Sequence, residues 1–293
     1  MSVQSKEGHE STECAGRFRL VIPADFKISG RSQSIYRVDI STVPIPAGGF
    51  KAFWDARLAR VRPPGSSRDT GQLNFTTLEL LPGVPAVWYV GNPAAPQIRN
   101  LEAAKLVGDF AALAARSGEA GKESSVELLV RTVLDAYVPA TNSGFCVGNG
   151  SITSEPGLNE HALLSLEHKN TQNFEFRLET RTVSSPDTQT YSDVEEEKEL
   201  VHSGGGKLSV LRDDARTVAG LEGKEIAISV APGAEAPFLR FTWHFAGVSD
   251  SSAKPAINIV GSAPVSHQAE LQKTWDALLQ SVQSVPLATQ HPK

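Results

Sequence analysis

Residues 143–152 read Ser143-Gly144-Phe145-Cys146-Val147-Gly148-Asn149-Gly150-Ser151-Ile152, and residues 13–20 read Glu13-Cys14-Ala15-Gly16-Arg17-Phe18-Arg19-Leu20. These segments hold the chain's only two cysteines. Each opens a strand-rich stretch that closes on an amphipathic helix. After Cys14, the set Phe18, Leu20 and Ile22 alternates with Arg17, Arg19 and Val21, which is strand spacing. Pro23-Ala24-Asp25 turns the chain, and Tyr36, Val38 and Ile40 alternate again. Phe50, Phe53, Trp54, Leu58 and Val61 then fall at helical offsets, and Pro63-Pro64-Gly65-Ser66-Ser67 ends that helix. Strands are expected over 73–81 and 84–91, around a Pro82-Gly83 turn. Residues 98–116 read either way, alanine-rich enough for a helix but placed like a hairpin. Val126, Leu129, Val130, Val133, Leu134 and Tyr137 form an i, i+3, i+4, i+7 stripe that closes the first half.

The stretch after Cys146 repeats the plan. Strands are expected at 145–153, 160–168 and 173–182, the last with Phe174, Phe176 and Leu178 alternating. Ser185-Pro186 has the form of an N-cap followed by a first-turn proline, before a helix that carries Glu195-Glu196-Glu197 and ends at Gly204-Gly205-Gly206. Further strands are expected at 207–212, 215–219, 224–231, 237–246 and 256–262. Leu271, Trp275, Leu278, Leu279 and Val282 mark the closing helix. The expected fold is therefore α+β, with two related domains, each an antiparallel sheet with helices packed on one face. Residues 1–12 form a disordered lead-in, 13–140 the N-terminal domain and 141–293 the C-terminal domain, with Pro139 to Ser143 as linker.

Composition bounds the function. The chain has 293 residues, of which 40% are hydrophobic and 21% charged, which is ordinary for a globular protein of two domains. A net charge of −5 offers no basic field for nucleic acid. No apolar run approaches a membrane span. Met1 to Glu13 is polar and rich in Ser and Glu, unlike a signal peptide. The expectation is thus a cytosolic chain or a mature form whose leader has been replaced. Two cysteines permit one bridge, Cys14 to Cys146, which implies an oxidising compartment. The plainer expectation is two buried thiols at equivalent strand positions.

No catalytic or metal-binding set is legible, and no cofactor is expected. His161 and His168 sit seven apart on one strand and face opposite ways. His244 lies on the polar side of its strand and reads as a surface or second-layer residue. No Gly-x-Ser-x-Gly elbow occurs. Cys146 as a nucleophile would need a histidine that nothing in the sequence brings to it. Gly144, Gly148 and Gly150 lack the βαβ context of a phosphate loop and read as a bulge or tight turn. The acidic run Glu195 to Glu199 reads as a solvated helix side, or as a face toward a basic partner. Arg212 to Glu225 reads as a hairpin with Gly220 and Gly223 in its turn. That turn would set Arg216 opposite Glu225, as a cross-strand pair that holds the register.

Taken together, these motifs resemble a known family. Cys14-Ala15-Gly16-Arg17-Phe18 with Ile22-Pro23-Ala24-Asp25 resembles the opening of the type VI secretion lipase-immunity family, cognate to the fourth class of type VI lipase effectors. Gly144-Phe145-Cys146-Val147-Gly148-Asn149-Gly150 resembles the opening of that family's C-terminal domain. Arg212, Arg216, Gly220, Gly223 and Glu225 resemble its arginine-rich hairpin. The resemblance runs from Cys14 to about Pro264. It implies a non-enzymatic inhibitor that grips a secreted phospholipase between its domains and blocks substrate access, as a monomer or a 1:1 heterodimer. It also implies a periplasmic location, anchored through a leader absent from this sequence. Gly16, Arg17, Pro23, Gly144, Phe145 and Gly150 are implied to be fold determinants, and no partner-contact residue transfers. The alternatives are a small-ligand or sensor module with a pocket between two domains, and a hydrolase that uses Cys146 or His244.

Overall fold

The computed structural model describes residues 10–46, 48–62, 75–153, 159–187, 199, 201–203, 205–233 and 236–287. In chain order, the first elements are β1 (Ser11–Ala15), β2 (Phe18–Ile22), β3 (Phe26–Ile35), β4 (Val38–Pro44), α1 (Gly49–Val61), β5 (Phe75–Leu81), β6 (Val84–Tyr89), β7 (Ile98–Val107), β8 (Phe110–Glu119) and α2 (Glu123–Asp135). There follow β9 (Tyr137–Pro139), β10 (Phe145–Val147), β11 (Gly150–Ile152), β12 (His161–His168), β13 (Glu175–Arg181), β14 (Lys207–Val218), β15 (Leu221–Ala231), β16 (Phe238–Phe245), β17 (Ala256–Pro264), α3 (Gln268–Ser281) and β18 (Gln283–Ser284). The pairs β12–β13, β14–β15, β16–β17, β4–β8 and β7–β8 are antiparallel, and helices are few among the described residues.

The chain divides into two compact units that are not its two sequence halves. One comprises Met1–Ser32 with Leu158–Pro286, and the other Gln33–Gly157 with Leu287–Lys293. The boundaries expected from sequence, near residues 12 and 140, follow chain order. The folded units follow strand pairing: β18 pairs with β2 (Gln283↔Arg19), and the Val285 amide donates to the Arg17 carbonyl at 2.7 Å. The opening β1–β2 hairpin is thereby built into the unit that holds the C-terminal strands.

In that first unit the sheet order is β14-β15-β16-β17-β13-β12, with the start of β3 beside β12. Every second residue of β13, β16 and β17 is buried, including Phe176, Leu178, Leu239, Phe241, Trp243, Ile257 and Ile259. Alternation of this kind places one apolar face on the sheet. α3 covers that face with Leu271, Trp275, Leu278 and Leu279, and the small sheet β1-β2-β18 adds Phe18, Leu20 and Ile22 to the same core. Trp275 lies 6.4 Å from Phe176 in a stacked arrangement and 5.9 Å from Phe241 edge-on. Both are favourable quadrupole geometries. Gly261 lies under this contact, where an added Cβ would come within 2.5 Å of the Phe176 ring.

In the second unit the order is β4-β8-β7-β6-β5. The ambiguous stretch 98–116 is the β7–β8 hairpin, with Val107 opposite Phe110. Its alanines serve close packing: Ala103, Ala104, Ala111, Ala112 and Ala114 are fully buried. α2 lies over the sheet through Val126, Val130, Val133 and Leu134, and Trp88 donates to Glu127 at 2.9 Å. The Lys105 ammonium caps the end of α2, donating to the carbonyls of Leu134 (2.7 Å) and Tyr137 (2.9 Å). This is the favourable end of the helix dipole for a cation. α1 gives lighter cover to the alternate residues, with Trp54 against Val87 and Ala104.

Three local expectations change. Tyr36 does not continue a strand; Tyr36 and Arg37 form the two-residue β3–β4 turn with φ of 54° and 61°. These are unusual angles for bulky residues, and the Arg116 guanidinium donates to the Tyr36 carbonyl. The expected strand 145–153 is two strands, β10 and β11, folded on each other with Phe145 opposite Ile152, and β9 completes a small sheet. Strands 207–212 and 215–219 are the single strand β14. The helix expected after Ser185-Pro186, its acidic run to Glu197, the loop at 63–67 and residues 1–9 lie outside the described residues, apart from Glu199 and the helical residues 201–203.

Candidate functional site

The arginine-rich hairpin is the most elaborate polar arrangement in the first unit. Its turn is Ala219-Gly220, with φ of 50° and 78°, between Val218 and Leu221. Two consecutive positive φ values define a hairpin turn that matches strand twist, and glycine tolerates its second position. Gly223 lies outside this turn, directly opposite Arg216. Its place is set by space: an added Cβ would fall 2.5 Å from the His244 carbonyl oxygen and 2.7 Å from the Trp243 ring. Glu225 is opposite Asp214 in register, so Arg216 reaches it diagonally rather than squarely across the strands.

The Glu225 side chain is 2% exposed and accepts from three donors. Arg212 Nη1 donates to Oε1, Trp275 Nε1 donates to Oε1 at 2.9 Å, and Arg216 Nη1 donates to Oε2 at 2.9 Å. Arg216 also meets Asp276 Oδ1 at 2.6 Å, and its carbonyl accepts from Trp243 Nε1 at 2.9 Å. Burial pulls the Arg216 pKa down, but the hydrogen bonds to Asp276 and Glu225 outweigh it and hold the pKa above its ordinary value. A buried charge of this kind is tolerated only when fully paired. The network locks β14 to β15 and α3. That is a structural role, and it brings no reacting group to a cleft.

The other residues singled out from sequence also fall at structural positions. Gly16 and Arg17 form the β1–β2 turn, Gly16 at φ 62°. Arg17 is buried and grips Glu160 with two bonds, Nη2–Oε1 at 2.5 Å and Nε–Oε2 at 3.0 Å. This is the bidentate fork that suits guanidinium. Nothing in the sequence announces a partner 143 positions away. Pro23 closes the next turn, its carbonyl accepting from the Phe26 amide at 2.9 Å. Phe145 is fully buried. Gly144 and Gly150 stand where a Cβ would strike the Ile152 carbonyl oxygen (2.6 Å) and the Tyr137 ring (2.1 Å).

Neither cysteine is a free thiol; both are disulfide-bonded, and the chain contains no third cysteine. The expectation of two buried thiols gives way to a bridge, and Cys146 has no thiolate to act as a nucleophile. The buried Gln33 side chain donates to the Cys146 carbonyl at 2.6 Å. His244 is no surface residue: it is 3% exposed, with Nε2 2.9 Å from the Asp187 carbonyl. Among the described residues no group of three or more His, Cys, Asp or Glu is arranged to hold a metal ion. An open groove of about 640 Å³ runs along α3 in the first unit, lined by Asp25, Glu270, Lys273, Ala277 and neighbours.

In the second unit, Glu102 accepts from Arg57 Nε at 2.6 Å and from the Tyr89 hydroxyl at 2.9 Å. The Tyr89 pKa is pushed up to about 12, first by burial and then by that bond. Burial alone pushes Tyr137 up to about 12. An unfolded tyrosine titrates near 10, so both phenols hold their protons more tightly when folded. Their contribution is complete below about pH 10 and is lost as pH rises from about 10 toward 12. Urea midpoints should therefore fall between about pH 10 and 11.5, and Tyr89→Phe/Tyr137→Phe should flatten that fall. A flat midpoint across that range would contradict the assignment.

These arrangements define a class: a sheet-based protein whose described polar clusters brace strands and helices. Its fold is shared with solved immunity proteins. A chain of the crystal structure of the Tle4-Tli4 complex superposes with a TM-score of 0.76 at 14% identity, over 97% of this chain and 99% of that one. The apo immunity protein TplEi of the T6SS from Pseudomonas aeruginosa gives 0.74 at 15% identity, over 94% and 97%. TplEi complexed with "L" peptide gives 0.70 at 15%, over 96% and 100%. Residues 138–286 match the family described as the Tle cognate immunity protein 4 C-terminal domain, and the chain belongs to that family. No curated protein sequence matches the chain significantly.

Proposed function

We propose that this protein is a non-enzymatic immunity protein that binds a cognate type VI secreted phospholipase and blocks substrate access to it, with both units contributing contacts. A lipase must open its mouth to lipid and expose its serine, and a protein seated across that mouth prevents both. The observation that carries this reading is family membership over residues 138–286, supported by the likeness of fold to a chain of the Tle4-Tli4 complex. The periplasm is the proposed location. An oxidising compartment suits a chain whose two cysteines are disulfide-bonded, and among the described residues no helix is long and apolar enough to cross a membrane.

The partner is proposed to be a cognate secreted lipase, in a 1:1 complex that buries well over about 1,000 Å². Calorimetric titration of the two purified proteins should give a stoichiometry near one and a submicromolar Kd. Absence of binding at micromolar concentrations would overturn the reading.

A further inference from the structure

In the first unit, the turn that joins β12 to β13, residues 169–173, hangs on one imidazole. His168 is the last residue of β12, and its side chain is only 8% exposed. Its ring is stacked on Phe174 at 5.2 Å and meets Phe26 edge-on at 5.1 Å. The His168 amide donates to the Phe174 carbonyl at 2.8 Å, which closes the base of the turn. Above it, the Asn170 amide donates to His168 Nδ1 at 3.3 Å. A backbone N–H can only donate, so Nδ1 carries the lone pair and the ring proton sits on Nε2. Nε2 lies 3.5 Å from Glu270 Oε1 on α3.

The turn holds more than itself. The Lys169 amide donates to the Asp25 carbonyl at 2.8 Å, and the Lys169 ammonium donates to the Ala24 carbonyl. Residues 23–25, which lead from β2 into β3, are tied down by these bonds. His168 and the turn line a groove of about 420 Å³. Pro23, Ala24, Asp25 and Glu270 line the groove along α3. The partners of the turn thus form part of a second groove's rim.

We propose that His168 is a proton-operated latch on this turn. A protonated imidazole donates from both nitrogens. Nδ1–H then faces the Asn170 N–H, and a hydrogen bond becomes a meeting of two donors. Turning the ring over offers no escape, because it brings Cδ2–H to the same place. Protonation therefore takes the acceptor from the Asn170 amide. It frees residues 169–173 and, through Lys169, the hold on residues 23–25. The charged and titratable groups around the ring are Glu270 and Lys273 from α3, His267 just before it, Asp25 and Lys27 near the start of β3, and Glu167, Lys169 and Glu175 beside the turn. His267 Nδ1 lies 2.9 Å from Glu270 Oε2, so two imidazoles share one carboxylate. The latch is independent of the function proposed above.

The test is a nuclear magnetic resonance titration of the full chain between about pH 7.5 and 5.5, the range in which histidine ordinarily changes charge. The His168 ring signal reports protonation, and amide order parameters report the turn. Residues 169–173 should match the strands at the upper pH, near about 0.85, and fall below about 0.6 at the lower, with the midpoint of the His168 ring. His168→Phe keeps an aromatic ring but offers no acceptor, so its turn should be loose at both pH values. His267→Gln should respond as wild type. A wild-type turn that stays ordered while His168 titrates would overturn the inference, whether or not the phenylalanine variant folds. So would a His168 ring that stays neutral to the lower pH, or an ordered turn in His168→Phe. Loss of the response in His267→Gln would overturn it in favour of His267.

Discussion

Reducing the disulfide-bonded cysteines Cys14 and Cys146 is expected to lower stability by about 2–5 kcal/mol. Both cysteines are disulfide-bonded, and removing a native disulfide ordinarily costs about 2–5 kcal/mol by freeing the unfolded chain. For a protein of this size the loss corresponds to a fall in melting temperature of several degrees or more. The measurement is a thermal melt with and without reductant, repeated on Cys14→Ser/Cys146→Ser, whose midpoint should match the reduced wild type and be insensitive to reductant. Equal midpoints for oxidised and reduced wild type would show that the bridge adds nothing. The prediction bears on location as well. A protein that leans on a disulfide to this extent is best made where disulfides persist.

Glu225→Ala is expected to cost about 3–5 kcal/mol, the range for breaking a buried ion pair from one side. The substitution leaves Arg212, Arg216 and the Trp275 indole N–H without their shared acceptor. Asp276, which is 37% exposed, takes up part of the Arg216 charge but cannot replace the bond to Trp275. Glu225→Gln keeps the shape and one acceptor, and should fall between wild type and alanine. Urea unfolding monitored by tryptophan fluorescence measures this, because Trp243 and Trp275 both touch the network. A cost below about 1 kcal/mol would mean that water and Asp276 satisfy the arginines, and that the network does not fix β14.

Much of the fold was legible because burial is periodic. Phe18-Leu20-Ile22, Phe174-Phe176-Leu178 and Leu239-Phe241-Trp243 alternate and are buried. Leu271, Trp275, Leu278 and Leu279 recur at helical spacing and are buried too. Periodicity reveals which face of an element is apolar, but it does not say which element lies against that face. For that reason the return of β18 to β2 and the bidentate Arg17–Glu160 pair had no local signal, and the compact units were not read from sequence. The β7–β8 hairpin was obscured by alanine, whose helix propensity yielded to tight inter-strand packing at Ala103, Ala104 and Ala114. His244 was misplaced because alternation marked it as polar-side, whereas that side of β16 is also covered at this position. In the arginine-rich hairpin the partners Arg216 and Glu225 were legible. Their register was not, because the turn is Ala219-Gly220 rather than a loop that includes Gly223. The contribution of Trp275 and Asp276 from α3 could not be seen from the hairpin alone.

On the proposed function, this chain silences a lipase by binding it. The direct measurement is hydrolysis of phospholipid by the proposed cognate lipase, titrated with this protein under non-reducing conditions. A linear loss of activity that ends near one molar equivalent is expected. Undiminished hydrolysis at severalfold molar excess would contradict it.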